Sequence, residues 1–541
     1  MYLSDEQLML LEQLTYIDEV ENQMGITLPQ GSRSLGEYID VLAGNPDLMD
    51  SIRQQNWPFT SGEQWADIIE AVAADEDLRR LVPYDDNESV YARSFTDPDD
   101  STKGVVIFKG TADAREWDDD VRGLNVADTP CQLEAKDYIE GLPFDSITVA
   151  GHSKGGNKAQ YVTVTSDKVD RCVSMDGQGF SQEFMDKYWA EIEEKGHLVK
   201  NYSLDADYVH ILLFPLPDAE QIYIRSDPNN RGLQNHSPAN LLDFDENGQV
   251  YLQIAPGELE SVTYLRELTY FVINTASDEH KQMLVDLIGP VLAVSMSKTF
   301  TYEGKVYTQD NIIDYILSQP EAIAVLLAYL TKYIETYNLD GDKVNSILEA
   351  FGMFLDFKGG DILLELLTKL VRFVLGNLGD GKTDAIIEAV LKELENWLEQ
   401  EFGKQLDLVH IWNSAEQTYE SIDVPDPTTA NQPTVPRKDK IRDFSERIYN
   451  TIMSAISRVG GLTYNSVAGW NSYESEPWYD DLFIRKLREG IAAYCDGIQQ
   501  INEDCKTKID RIFNDAATLD AACAAKLASC EETVKGAASN L

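Results

Sequence analysis

Cysteine is scarce: six in 541 residues, with no metal-type spacing among them. That supports neither a disulfide-built scaffold nor a metal motif, and no metal or organic cofactor is expected. Basic residues are also few, 45 Lys and Arg against 93 Asp and Glu, which leaves a formal charge of −48. A field of that sign works against nucleic-acid phosphates and against broad attraction to an anionic membrane, so no nucleic-acid partner is expected and any lipid contact must be apolar and local. No uninterrupted apolar run reaches the ~18–20 residues that span a bilayer, so no transmembrane segment is expected. The start, MYLSDEQLML, lacks the basic stretch that precedes the apolar core of a signal peptide. The expected compartment of synthesis is a reducing cytoplasm, with later export by a route lacking a cleaved signal left open. Histidine is scarce too, six in all, so the choice of an imidazole base is narrow. What the chain does have is enough apolar content, 43%, for a large core spread over roughly two to four domains.

The stretch richest in chemistry is Ser146 to Gln160, SITVAGHSKGGNKAQ. An apolar, β-branched run (Ile147, Thr148, Val149, Ala150) feeds into G-H-S-K-G, and Asn157 to Gln160 suit a helix. A strand, a sharp turn and a helix make a nucleophile elbow, in which Gly151 and Gly155 let strand and helix approach closely and Ser153 stands at the carboxyl edge of the sheet. The alternative is a glycine turn after a buried strand.

Around this stretch the chain alternates. Ser4 with Gln7 gives a capping box, and Leu8, Leu11, Leu14 and Ile17 recur at helical spacing. Further helical segments run to about Leu81. From Ser89 the period changes, and Val105 to Phe108 form a buried-strand run closing in Lys109, Gly110 and Thr111. Strands are also expected at Arg171 to Met175, at Tyr208 to Phe214 (YVHILLF) and at Ile222 to Ile224, with His236 in a polar loop after them. The fold class expected is α/β, with loops at the carboxyl ends of parallel strands forming the site.

A strand closing in F-K-G-T, Trp117 six residues after Thr111, an acidic cluster, and G-H-S-K-G-G about forty residues on resemble the class 3 lipase group of α/β-hydrolases, in its bacterial lipase-like branch. Lys109 departs from the arginine usual in that family. The resemblance covers about residues 1 to 260. It implies an α/β-hydrolase domain over 1–265 with N-terminal helices, and an oxyanion hole at Thr111 and at the amide of Lys154. A tetrahedral oxyanion needs two such preorganised N–H donors; a strand-end hydroxyl serving its own turn is the other reading of Thr111. Trp117 and Asp118 are read as structural.

In such hydrolases the triad follows the order serine, acid, histidine. Of the histidines after Ser153 in this domain, His197 sits in a Gly-His turn and His210 inside an apolar run, whereas His236 lies in a polar loop downstream of a credible acid. His236 is therefore the expected base, and His152 is expected to point elsewhere. Asp207, opening YVHILLF, is the preferred acid; Asp176, closing the preceding strand, is the alternative. Either could instead be a turn or cap aspartate.

Residues 266–420 read as helices, with a hairpin at FTYEGKVYT, either a bundle beside the first domain or a lid. SIDVPDPTTANQPTVPRKDK, 421–440, reads as a proline-rich linker. Residues 441–541 read as a helical hairpin module, with Ile491, Tyr494, Ile498, Ile501, Ile509 and Ile512 on one seam and Ile441, Phe444, Ile448 and Ile452 on another. This module loosely resembles the LXG or WXG-type modules of type VII secretion. The resemblance implies small helical partner proteins and an exported lipase toxin; a hairpin docked on its own catalytic domain is the competing reading. The expected function is a serine ester hydrolase acting on an acyl ester, a lipid first, in the manner of a lipase or phospholipase A. The alternative is a binding or scaffold protein that keeps the fold without the chemistry.

Overall fold

The apolar run ending at Phe108 belongs to an eight-stranded sheet in which the strands lie side by side in chain order. They are β1 (Val82–Asn87), β2 (Ala92–Asp97), β3 (Asp100–Phe108), β4 (Ser146–His152), β5 (Val169–Met175), β6 (Val199–Leu204), β7 (Glu220–Ile224) and β8 (Ile254–Ala255). Strands β3 to β7 are parallel; β1, β2 and β8 pair antiparallel at the two edges. The fold is therefore α/β. In this computed structural model the described residues are 2–433, apart from 29–32, 56–59, 113, 125, 231, 296–298, 303, 355–359, 376–383 and 404.

Sequential strand order has a consequence for the layers. Right-handed crossovers put the connecting helices Pro130–Gly141, Lys154–Thr165 and Gln182–Lys195 on one face, so the opposite face must be covered by other residues. The N-terminal helices cover it. Alternation along the strands sorts the side chains accordingly: Val105, Ile107, Val173 and Met175 pack with Leu8, Leu11, Leu14, Ile17 and Trp65, while Val106, Phe108, Val149 and Cys172 pack with Val162, Phe184 and Ile192. The first helix, Asp5–Gln13, begins at the expected Ser4–Gln7 capping box. Its Asp5 accepts hydrogen bonds from Tyr202 Oη at 2.5 Å, from Lys200 Nζ at 3.1 Å and from Arg171, which ties the helix to β5 and β6.

Three expectations differ from the structure. The run Tyr208 to Phe214 is not a strand; the strand here is β6, just before it. Its apolarity serves two cores, since Tyr208 and Ile211 enter a helical core formed by later residues while Leu213 and Phe214 enter the core beneath the sheet. The division at 265/266 runs through the helix Glu260–Thr275, and Met1–Val435 form one compact unit, divided from the rest at Pro436. The described part of the 421–440 stretch is not a free linker: Ile422 and Ala430 are buried in the helical core, and Asn274 Nδ2 donates to Ala430 O at 2.9 Å and Gln432 O at 2.6 Å. An Asx-type turn at Asp426, bonded to Thr428, folds these residues back.

The middle region contains the helices Asp278–Ser295, Pro320–Thr336, Gly341–Phe354, Gly360–Leu375, Asp384–Phe402 and Leu408–Ser421 and the expected hairpin, Phe300–Tyr302 with Lys305–Tyr307. Among the described residues no helix is long and apolar enough to cross a membrane. The module at 441–541, with both apolar seams, lies outside the described residues, as do the side chains of Trp117 and Asp118.

Candidate active site

Four consecutive parallel strands deliver four of the expected residues to one edge of the sheet: Thr111 after β3, Ser153 after β4, Asp176 after β5 and Asp207 after β6. Ser153 has φ 55° and ψ −121°, a conformation that non-glycine residues adopt only when their surroundings enforce it. Its N–H donates to Met175 O at 2.9 Å, and its carbonyl accepts from Asn157 N at 3.0 Å as the helix Lys154–Thr165 begins. The glycines are required by contact. A Cβ on Gly155 would sit 2.0 Å from Phe108 O, and one on Gly151 would sit 2.4 Å from Gly155 C.

Asp207 and His236 meet. His236 Nδ1 lies 2.7 Å from Asp207 Oδ1, with the ring on a 3-10 turn, Gly232–His236. The other carboxylate oxygen, Oδ2, accepts from Val209 N, from His210 N and from His210 Nδ1, each at 2.9 Å. Burial would raise the Asp207 pKa, but His236 and His210 outweigh it and hold the carboxyl well below the usual range. His210, beyond it, reaches Glu258 at 3.4 Å, and Glu258 pairs with Arg266 at 2.8 Å. Burial works against a charge on His210, yet the bonds to Asp207 and Glu258 prevail and raise its pKa. Among the described residues no hydrogen bond joins Ser153 Oγ to His236; such bonds commonly tighten only once substrate is bound.

The alternative acid, Asp176, lies near His236 but makes no hydrogen bond to it among the described residues. Asp176 has φ 47°. Its Oδ1 accepts from Leu204 N at 2.9 Å, and its Oδ2 is buried without a hydrogen-bond partner. Complete burial and the neighbouring Asp207 charge push its pKa well up, so of the two carboxyls it is the one that holds a proton more readily. Two sets of groups lie close enough to hold an ion, His152–Asp176–His236 and Asp176–Asp207–His210. Each draws on the His236–Asp207 pair, so an ion there would occupy His236 or Asp207.

The acidic cluster after Thr111 has a definite task. Lys154 is buried and pairs with Asp119 at 2.6 Å and Asp120 at 3.2 Å; Lys158, one turn on, pairs with Glu116 at 2.6 Å and donates to Val90 O. Two lysines inside the core need such partners. The same carboxylates fix the loop after β3: Thr111 Oγ1 donates to Asp120 at 2.9 Å and Ala112 N to Glu116 at 2.8 Å. Gly110 N donates to Tyr16 Oη at 3.0 Å. The N–H groups on either side of Thr111 are thus engaged, and that of Thr111 itself has no partner among the described residues. Lys154 N opens its helix, where an N–H has no intrahelical acceptor.

Sequence reasoning missed Tyr16 and the lysine–carboxylate pairs, and it misplaced His152. That ring does not turn away: it packs on His236 with centroids 4.6 Å apart. The one available signal was the match of K-G-G-N-K to E-W-D-D-D, two lysines four apart against carboxylates at 116, 119 and 120.

Together these groups form a strand-edge serine beside a buried histidine–aspartate pair. A family model described as Mbeg1-like matches residues 84–288, a span that includes Thr111, Ser153, Asp176, Asp207 and His236 but not Tyr16. No match is found among curated proteins or among solved structures.

Proposed function

We propose that this chain is a serine ester hydrolase of the α/β-hydrolase kind, acting on an acyl ester. The observation that carries the reading is the buried Asp207–His236 pair at 2.7 Å on the same sheet edge as Ser153 in its strained turn. Ser153 Oγ attacks the ester carbonyl while His236 Nε2 takes its proton. Asp207 holds the Nδ1–H and offsets the imidazolium charge. The N–H groups of Thr111 and Lys154 donate to the oxyanion, each worth about 3 kcal/mol of barrier. His236 then returns the proton to the leaving alcohol, and water releases the acyl group by the same steps.

Fluorophosphonate labelling of the wild type beside Ser153→Ala tests the reading, followed by triacylglycerol, phospholipid and short p-nitrophenyl esters as substrates. Labelling that requires Ser153 supports it, and the chain-length profile assigns the ester class, with lipid esters the first expectation. A wild type that is folded but unlabelled removes it.

A further inference from the structure

We infer that Tyr16, from the N-terminal layer outside the matched span, is a positioning residue that joins the oxyanion loop to the histidine side of the site. The inference rests on the ester-hydrolase reading and adds to it a residue that neither the motif nor the matched family span contains.

The geometry begins at the end of the first helix. After Asp5–Gln13 the chain tightens into a 3-10 turn, Leu14–Tyr16, with Leu14 and Ile17 buried on either side. Arg93, on β2, donates to Leu14 O at 2.6 Å and anchors the turn to the sheet. Lys109 lies over the Tyr16 ring, 4.9 Å from its centroid, and pairs with Asp18 at 2.9 Å. The backbone of the turn and one face of the ring are therefore both held, and the hydroxyl is aimed by them.

That hydroxyl has two neighbours on opposite sides of the site. It accepts from Gly110 N at 3.0 Å and lies 3.2 Å from His152 Nδ1. Gly110 N–H can only donate, so the hydroxyl accepts there and keeps its proton and a second lone pair for the contact with His152 Nδ1, where the imidazole tautomer sets which partner donates. Burial first and the nearby His236 second lower the His152 pKa, which favours the neutral ring, and that ring packs on His236 with centroids 4.6 Å apart. The sequence Gly110, Tyr16, His152, His236 is a continuous path from the residue before the oxyanion donor to the base.

A second observation is steric. A Cβ at residue 110 would stand 2.4 Å from Tyr16 Oη and 3.2 Å from His152 Nδ1. Glycine at this position therefore makes room for the hydroxyl. With Gly110 N committed to Tyr16 and Ala112 N to Glu116, the amide between them is clamped from both sides, which is the preorganisation an oxyanion donor needs.

The test is a double-mutant cycle on the full chain with Tyr16→Phe and Gly110→Ala, using whichever ester the wild type turns over. Tyr16→Phe keeps the ring and removes two hydrogen bonds; kcat should fall about tenfold or more, with KM unchanged. Affinity for a phenylboronic acid, whose adduct on the serine is tetrahedral, should fall by a similar factor. Gly110→Ala should show the same loss, and the double variant should be no worse than Gly110→Ala alone, because each change breaks the same contact. Melting temperature checks that each variant folds; a Tyr16→Phe that does not fold leaves Gly110→Ala to be read in its place. Wild-type turnover with Tyr16→Phe unchanged in kcat and boronate affinity overturns the inference, as does full additivity of the two losses. A wild type that neither labels nor turns over ester defeats the ester-hydrolase reading instead.

Discussion

Replacing Asp207 by Asn separates the two carboxyls of the site, and the bonding of Asp207 fixes what the amide must do. Three donors converge on Oδ2 and one, His236 Nδ1, on Oδ1. An asparagine has one acceptor oxygen, and the three-donor position claims it. The amide NH2 then falls opposite His236 Nδ1, where two donors cannot coexist. His236 must move its proton to Nε2, the nitrogen that has to accept from Ser153. The wrong tautomer costs about 10⁴ in kcat, roughly 5.5 kcal/mol of barrier. Asp176→Asn should behave differently: burial and the Asp207 charge already favour the neutral side chain, and an amide oxygen can keep the bond from Leu204 N. Its kcat should stay within about threefold of wild type. The assay is the rate of fluorophosphonate labelling together with kcat on a p-nitrophenyl ester. A loss at Asp176→Asn as large as at Asp207→Asn would refute the assignment of the acid.

Lys154→Met should cost about 3–5 kcal/mol in urea unfolding, because it leaves the buried Asp119 without its 2.6 Å partner. Gly155→Ala should cost at least about 2 kcal/mol and abolish labelling, since its Cβ would meet Phe108 O at 2.0 Å and Lys109 O at 2.7 Å, both backbone atoms. Stability should decline on both sides of neutrality. His152 is depressed by burial and by His236, so its unfolded form protonates first and stability falls as pH drops below about 6.5; His210, raised by its carboxylate partners against the cost of burial, contributes below that value and loses its contribution as pH rises through its folded pKa. His152→Gln should flatten the acid limb and His210→Gln the alkaline limb, each by up to about 1.4 kcal/mol per pH unit; limbs unchanged in slope would remove this account.

The local geometry was legible in the sequence because it is set by short-range rules. The Ser4 cap, the strand at Ile147 to Ala150 and the glycines at 151 and 155 each follow from neighbours within a few residues. The Asp207–His236 contact was legible by elimination among six histidines and by chain order. The failures share another cause. Tyr208 to Phe214 reads as a strand because apolarity reports burial, not the geometry that achieves it, and here two cores divide the run. His152 and Tyr16 were hidden because their contact spans 136 residues, and no local period encodes a partner so far away. The proline-rich stretch looked like a linker because its few apolar residues follow no period, yet two of them, Ile422 and Ala430, are buried.

The middle helices bear on the site through what they touch. The helix Gly341–Phe354 packs on the 3-10 turn that carries His236, and the helix Asp278–Ser295 packs on Ala114–Arg122, the helix that supplies Glu116, Asp119 and Asp120. Tyr208 and Ile211, directly after Asp207, are buried in the same helical core. On the other side of the sheet, Gln64 of the N-terminal layer donates to Asn240 at 2.8 Å, and Asn240 donates to Gln234 O at 2.6 Å, so the histidine turn is held from that side as well. The turn of His236, Asp207 and the helix behind the Thr111 loop therefore depend on residues on both sides of the matched span, 84–288. Cutting the chain at the ends of that span would remove Tyr16 and Gln64 and uncover Tyr208 and Ile211. The proposed catalytic set is a property of the unit Met1–Val435, and the 84–288 segment does not contain all the contacts that hold it.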